Sequence, residues 1–442
     1  MINPNIFKAY DIRGIYPEEI DEETAYRIGR AFVKFLNAKK IAVGIDARKS
    51  SPSLFKEFVR GITDEWCDVI NIGMCTTPML GFAVAYLDLD GGVMISASHN
   101  PPEYNAFKLL SKNSLQLYDD FGIKEVKKLA ELSFENGSSK GKIIKKDILP
   151  DYVNHLLKFA KDIKNLKTVC DYGNGVGAVS AKEFLDNLPI STTHLFPEPD
   201  GSFPNHLANP HELENLKTLQ EKVLEEKADL GIFFDGDADR SILVDEKGEI
   251  VPPDLELAIL AKEELKNHKG EKVYFDLRFS KIVDEVIKET GGKSVMMRVG
   301  NPFYKEKLQK EGGVLAGEFS GHIMFKDNYC LDDGLFAAVK IMGIMSRTKK
   351  PLSELIKPFK KYYQTEEINL KVKNPDETLR KVKEEFKDGE SINLDGVYIK
   401  YSDWWFNLRK SNTEPLVRLR IEADSPELLE EKKREVLNII EK

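Results

Sequence analysis

Cysteine is scarce: the 442-residue chain has four, at positions 67, 75, 170 and 330. None forms a Cys-x-x-Cys pair, so neither a thiolate zinc site nor a disulfide framework is expected. Reduced, buried thiols of a cytoplasmic protein are the expectation. Long apolar runs are also missing. None approaches the roughly 20 residues needed to cross a bilayer, so no membrane partner is expected. The opening Met1-Ile2-Asn3-Pro4-Asn5 lacks the charged start and apolar stretch of a signal peptide. Positive charge is not in excess either. Lys and Arg number 65 against 73 Asp and Glu, for a formal net charge of −8. General affinity for nucleic acid or anionic lipid is therefore not expected.

What is present is material for several cores, with 41% hydrophobic residues. At about 100–200 residues per domain the length suggests three or four. Short apolar strands alternate with helical stretches through most of the chain. Examples are Ile41–Ile45, Val69–Ile72 and Gly91–Ile95 with the helix Pro78–Leu87 between them. The same alternation returns at Thr168–Asp171, Thr192–Phe196 and Leu230–Phe234, and again at Val273–Asp276, Val295–Met297 and Val314–Ala316. Such alternation predicts α/β units with mixed, mostly parallel sheets. The last stretch differs. Ile368–Val372, Tyr398–Tyr401, Trp404–Leu408 and Leu416–Ile421 read as antiparallel strands, and Ser425-Pro426 opens a final helix. The predicted plan is four domains: α/β over 1–149, 150–251 and 252–360, and a smaller α+β unit over 361–442. Pro351 and Pro358 mark a linker-like passage between the last two.

Five stretches carry chemistry. Ser96-Ala97-Ser98-His99-Asn100-Pro101 follows the strand Gly91–Ile95 and places a hydroxyl beside an imidazole at a strand end. Open α/β sheets put their ligands there. Read alone, the pair could be half of a hydrolase triad. Asp235-Gly236-Asp237-Ala238-Asp239-Arg240 ends another apolar strand in three carboxylates. Like charges so close need a cation, or some must protonate, and hard oxygen donors suit Mg²⁺. The spacing also matches a calcium EF-hand loop with Glu246 at its twelfth place, but Arg240 stands where that loop needs glycine. Gly317-Glu318-Phe319-Ser320-Gly321-His322 offers acceptors and donors suited to a polyhydroxyl ligand. Arg409-Lys410-Ser411-Asn412-Thr413-Glu414-Pro415 combines a guanidinium, hydroxyls and an amide, which suit a phosphate dianion. Near the start, Tyr10-Asp11-Ile12-Arg13-Gly14 and Lys8 supply anion contacts, and Lys108 lies close enough in sequence to Ser98 to share its ligand. Each of these, taken singly, also reads as a solvated polar turn.

Together and in this order, the stretches resemble the α-D-phosphohexomutase family over nearly the whole chain, nearest its bacterial and archaeal phosphomannomutase/phosphoglucomutase group. The resemblance implies four domains around a central cleft, each giving one loop. It implies that Ser98 is phosphorylated in the active enzyme and that its phosphate, Asp235, Asp237 and Asp239 bind one Mg²⁺ per chain. Glu318 and Ser320 would read sugar hydroxyls. Arg409, Ser411, Asn412 and Thr413 would hold the non-reacting phosphate. Arg13, Lys108 and His322 would serve catalysis, with Lys108 and His322 as proton-transfer groups. Tyr10, His99, Arg240, Arg278 and Asn301 complete the implied substrate-binding set, with His99 a positioning group rather than a base. The implied reaction interconverts hexose 1- and 6-phosphates of mannose or glucose through a hexose 1,6-bisphosphate, which also acts as activator. A monomer or small homo-oligomer is implied. Three departures stand out. Ala238 replaces the family's usual glycine, Arg278 a frequent lysine, and Asn301 a frequent histidine that could move protons. Phosphoglucosamine mutase is the sibling alternative, disfavoured by Asn412. A metal-dependent sugar phosphatase and a non-catalytic phosphosugar-binding protein are alternatives of other classes.

Overall fold

The computed structural model describes residues 2–133, 140–410 and 416–441. Its first sheet contains β1 (Ile12–Ile15), β2 (Lys40–Ile45), β3 (Asp68–Met74), β4 (Gly91–Ile95), β5 (Tyr104–Ser111) and β6 (Ile143–Lys145), in the order β1-β5-β4-β2-β3-β6. β3 and β4 run parallel to β2, and β5 returns antiparallel to β4. Helices α1 (Glu22–Leu36), α2 (Ser51–Asp64) and α4 (Ile123–Ala130) pack with one face, and α3 (Thr77–Tyr86) with the other. Ile41 and Val43 therefore point one way and Ala42 the other, and both sets are buried. Two covered faces are why these strands read as continuous apolar runs.

The second unit has helices α5 (Leu149–Leu157), α6 (Ala178–Asp186) and α7 (Lys217–Glu226) around β7 (Lys167–Asp171), β8 (Ser191–Leu195), β9 (Leu230–Phe234) and β10 (Ser241–Asp245). The third has α8 (Pro253–Asn267), α9 (Lys281–Glu289), α10 (Asn301–Glu311), α11 (Gly334–Thr348) and α12 (Leu352–Ile356) around β11 (Lys272–Asp276), β12 (Lys293–Met297), β13 (Leu315–Gly317) and β14 (Ile323–Phe325). Their strand orders are β10-β9-β7-β8 and β12-β11-β13-β14. In both, as in β3-β2-β4-β5 of the first unit, the first three strands are parallel and the fourth is an antiparallel return. Three units thus share one topology, although no repeat is legible in their sequences. The fourth unit is a separate antiparallel sheet of β15 (Tyr363–Gln364), β16 (Ile368–Lys371), β17 (Glu390–Ile392), β18 (Val397–Lys400), β19 (Trp404–Lys410) and β20 (Leu416–Ala423), with α13 (Pro375–Glu385) and α14 (Pro426–Glu441).

The shared topology has one consequence for function. The link between the third and fourth strands always opens at the carboxyl end of the parallel strands. That link carries Ser98 in the first unit, Asp235–Arg240 in the second and Glu318–His322 in the third. Residues 411–415 join β19 to β20 in the fourth.

The first three units share one continuous core, in which α3, α5, α6, α8 and α11 all contribute. The fourth has its own core and touches the third through Leu277, Tyr398 and Trp405. Some local expectations change. The passage at Pro351–Pro358 is not a linker: Leu352 and Ile356 of α12 are buried in the shared core. In the second unit the chain makes a 3₁₀ turn over Leu213–Leu216 before α7 begins at Lys217. Ser50 precedes α2 without a side-chain cap bond, and its hydroxyl accepts from Asn105 Nδ2. Ser425 does cap α14, accepting from the Leu428 N–H at 3.2 Å.

Glu256 of α8 is an exception within the core. Its side chain is buried with Oε1 unpartnered among the described residues, and burial alone pushes its pKa up to about 8. The folded chain therefore holds this proton more tightly than the unfolded chain, and stability is lost as pH rises from the ordinary carboxylate value through 8. Glu256→Gln should flatten that fall and raise stability at pH 9 by about 1 kcal/mol or more, measured by urea unfolding at pH 6 and 9. An equal pH dependence in both proteins would contradict it.

Candidate active site

β4 ends at Ile95, two residues before the expected serine loop turns back. Ser96 N–H still bonds Ala106 O across to β5. Ser98 itself adopts a left-handed φ of 52° and is almost fully buried. That conformation costs a non-glycine residue about 1 kcal/mol or more and persists only when its surroundings enforce it. The Ser96 hydroxyl helps by accepting from Ser98 N–H at 3.0 Å.

Ser98 Oγ donates to Asp235 Oδ2 at 2.7 Å and accepts from Arg240 Nη2 at 3.0 Å. Asp235 begins the loop after β9. Gly236 must be glycine there, because a Cβ would lie 2.4 Å from the Ser98 carbonyl oxygen. Ala238 has φ 59°, a conformation that suits glycine. The departure at this position therefore costs backbone strain while leaving the carboxylates in place.

Asp235, Asp237 and Asp239 each turn an oxygen toward a common point, all within 4.8 Å of one another, and all three are buried. Asp237 Oδ1 and Asp239 Oδ1 have no hydrogen-bond donor among the described residues. Burial, with Asp239 and Asp237 beside it, pushes Asp235 up to about 7 in spite of Arg240. Orphaned hard oxygens at such range fit a divalent cation. A second set, Asp239, His322 and Asp332, also has ligand spacing and shares one carboxylate with the first.

Lys108 is buried against this cluster, 2.5 Å from Asp237 Oδ2 and 2.6 Å from Asp239 Oδ2. Burial opposes its charge, but the three aspartates outweigh it and raise the ammonium pKa. It is not the solvated strand lysine that its sequence alone allows. Thr77, from the start of α3, hydrogen-bonds the same Asp237 oxygen through its hydroxyl. Arg240 is engaged on every side. It pairs with Asp235, donates 2.5 Å to His99 Nδ1 and 3.1 Å to His211 Nε2. Burial, then Arg240, holds His99 well below its ordinary pKa, and the same causes bring His211 to about 3. Both rings are neutral acceptors that orient the guanidinium. Arg13 is held by Asp11 at 2.6 Å and reaches Asn100 in the serine loop.

A run of polar contacts leads from here into the third and fourth units. His322 Nδ1 lies 3.7 Å from Asp239 and 3.3 Å from Asp332. Burial disfavours the imidazolium, but Asp239 and Asp332 raise its pKa above the ordinary value. Asn301 Nδ2 donates to Asp332 at 2.9 Å, so at this position an amide fixes a carboxylate. Next to it, Gly300 N–H donates to Glu318 Oε1, and Ser320 Oγ donates to Glu318 Oε2. Tyr10 reaches across from the first unit to Val299 O. Arg278 lies 3.9 Å from Glu318 and is clamped by Asp276 at 2.6 Å. Beyond it, Glu367 gathers three guanidiniums: Arg278 at 3.4 Å, Arg409 at 3.1 Å and Arg418 at 3.2 Å. The Nε atoms of Arg409 and Arg418 are buried without an acceptor among the described residues. Ser411, Asn412 and Thr413 lie outside the described residues.

The family models for phosphoglucomutase/phosphomannomutase match this chain in sequence: α/β/α domain I over residues 4–135, domain II over 150–248, domain III over 252–362 and the C-terminal domain over 367–439. The chain belongs to the phosphoglucomutase/phosphomannomutase family. It is 40% identical to a phosphomannomutase of Methanocaldococcus jannaschii, covering 99% of this chain and 98% of that one. It is 37% identical to a phosphomannomutase/phosphoglucomutase of Pseudomonas aeruginosa, over 96% and 93% of the two chains. Among solved structures, a family protein from Burkholderia thailandensis superposes with a TM-score of 0.91 at 34% identity, covering 100% of this chain and 98% of the other.

The structure thus brings together Ser98, His99, Lys108, Arg13, the three aspartates, Arg240 and His322 at one end. Glu318, Ser320, Arg278 and Arg409 lie toward the other, with Asn301 and Tyr10 between. Sequence reasoning missed His211, Asp332, Glu367 and Arg418. Only the Asp332-Asp333 pair ahead of α11 left a signal, and Asp333 is the residue that caps that helix. Replacing one carboxylate tests the cation fit: Asp237→Asn should weaken Mn²⁺ binding at least about tenfold by calorimetry. Unchanged affinity would contradict it.

Proposed function

We propose that this protein is a Mg²⁺-dependent phosphohexomutase that interconverts the 1- and 6-phosphates of mannose or glucose through phospho-Ser98. One observation carries this reading: a strained, buried serine hydroxyl stands between an aspartate cluster with orphaned oxygens and a fixed guanidinium. A second anion site, the Arg278–Arg409–Arg418 group, lies at the far end of the same run of contacts. A substrate with phosphate at one end and a reacting hydroxyl at the other fits this layout.

Asp235, Asp237 and Asp239 would hold the cation together with the phosphate on Ser98. When bound, it neutralises charge on the transferring phosphoryl group. Arg240 and Lys108 add fixed positive charge at the same point, which is where phosphoryl transfer needs it. Transfer to the sugar breaks the Ser98 Oγ–P bond and forms a P–O6 bond. The neutral form of His322 takes the O6 proton, and Lys108, the ammonium held among the aspartates, supplies a proton to Ser98 Oγ. The resulting 1,6-bisphosphate turns over in the cleft. Its 1-phosphoryl returns to Ser98 with the proton movements reversed, leaving the 6-phosphate. Glu318 and Ser320 accept and donate to the sugar hydroxyls, and Arg409 and Arg278 hold whichever phosphate is not reacting. His99 and His211, being neutral, keep Arg240 aimed. Exclusion of water protects phospho-Ser98 from hydrolysis, which separates a mutase from a sugar phosphatase.

Ser98→Ala should lower mutase kcat at least about a thousandfold while leaving the fold unchanged by circular dichroism. Full turnover of this variant with added hexose 1,6-bisphosphate would refute the phosphoserine reading. Arg409→Ala should raise KM for hexose 1-phosphate by about tenfold or more with a smaller loss in kcat. A coupled assay comparing mannose, glucose and glucosamine 1-phosphates ranks the sugars, and preference for glucosamine would favour the sibling activity.

A further inference from the structure

We propose that Arg48 is a positioning residue that shapes the Ser98 loop and thereby aims the nucleophile; this rests on the reading of Ser98 as the phosphoryl carrier. Arg48 follows β2 and touches none of the reacting groups. The residue is 1% exposed. A guanidinium has five N–H donors, and all five are used. Nε donates to Asp46 Oδ2 at 3.1 Å. Nη1 donates to Pro101 O at 2.5 Å and Tyr104 O at 3.0 Å. Nη2 donates to Ser98 O at 2.8 Å and Asn100 O at 2.6 Å.

Four carbonyls from residues 98 to 104 therefore converge on one cation. Carbonyl dipoles repel when they point at one another, so the loop closes around a point only if something positive occupies it. The planar fork of arginine supplies directed donors to all four, which a lysine ammonium with three donors cannot do. The arginine is itself held. Asp46 Oδ1 accepts from Arg48 N–H at 3.0 Å and from Ser51 Oγ at 2.6 Å. The second unit closes over it: the Phe203 ring centre lies 5.2 Å from the guanidinium carbon. A Cβ on Gly201 would come within 2.4 Å of Ala47 O. Water is thus kept from competing for the carbonyls.

The link to chemistry is Ser98 itself. Its carbonyl is gripped by Arg48 on one side and by the close approach of Gly236 on the other. These two contacts restrain the left-handed φ of 52°. That backbone angle decides where Oγ sits between Asp235 and Arg240. A displacement of the nucleophile by about 1 Å can cost about a hundredfold in rate.

The test is the single-turnover rate constant for phosphorylation of Ser98 by glucose 1,6-bisphosphate, followed by intact-protein mass spectrometry. A misfolded fraction lowers the amplitude of that reaction but not its rate constant, so a merely structural role leaves the constant unmoved. In Arg48→Lys, shown to be folded by circular dichroism, the constant should fall at least about tenfold while KM for hexose 1-phosphate stays within about twofold. Should Arg48→Lys fail to fold, Asp46→Asn keeps the guanidinium and loosens only its clamp. The constant should then fall at least about threefold. A wild-type rate constant in the folded Arg48→Lys, or in Asp46→Asn where the lysine variant does not fold, overturns the proposal. Ser98→Ala run in parallel separates the two readings. If that variant gains the phosphoryl group and turns over like wild type, the phosphoserine reading fails rather than the role of Arg48.

Discussion

Three carboxylates buried at the end of β9 are the constraint to which the centre of the molecule answers. Their mutual repulsion in a low-dielectric site is unaffordable without positive charge. Lys108 comes from the first unit to meet two of them, and Arg240 folds back to meet the third. His322 approaches from the third unit. The same cluster is therefore both the place where a cation fits and the electrostatic knot that ties three units together. Burial opposes the charge on Lys108 and Arg240, and the aspartates outweigh it, so positive charge is fixed at this point before any ligand arrives.

The repeated topology explains why that knot can form at all. In each α/β unit the antiparallel return strand turns its hairpin toward the carboxyl edge of the sheet. Packing the three sheets around one core points three such hairpins at one another. The fourth unit is joined differently. A small apolar contact of Leu277, Tyr398 and Trp405 meets a polar clamp in which Glu367 gathers three arginines. Far less apolar surface is shared there than among the first three, so this joint depends more on charge.

Much of this was legible beforehand, for physical reasons. Strands covered on both faces announce themselves as apolar runs, and Gly91–Ile95 and Leu230–Phe234 did so. Three aspartates ending such a strand are too costly to be accidental. Short elements whose burial comes from distant partners were less legible. α12 has five residues and two prolines near it, and looked like a linker until its leucine and isoleucine were found in the core. Arg48 gave no signal, since beyond its neighbour Asp46 its partners are backbone carbonyls about 50 positions away, and a carbonyl has no residue type. His211 and Glu367 escaped for a related reason: each is a single polar residue whose meaning lies in the guanidinium it meets.

The sequence by itself determined the α/β alternation, the separate character of the last unit, and the polar stretches that meet in the candidate site, because periodicity and local charge density are properties of neighbouring residues. Tertiary structure alone decided that Lys108 faces the aspartates, that Ala238 and Ser98 both take left-handed backbone, and that Asn301 fixes Asp332. It also decided that one buried arginine organises the serine loop. Each of these depends on which atoms share space after folding, and spacing along the chain does not encode that distance.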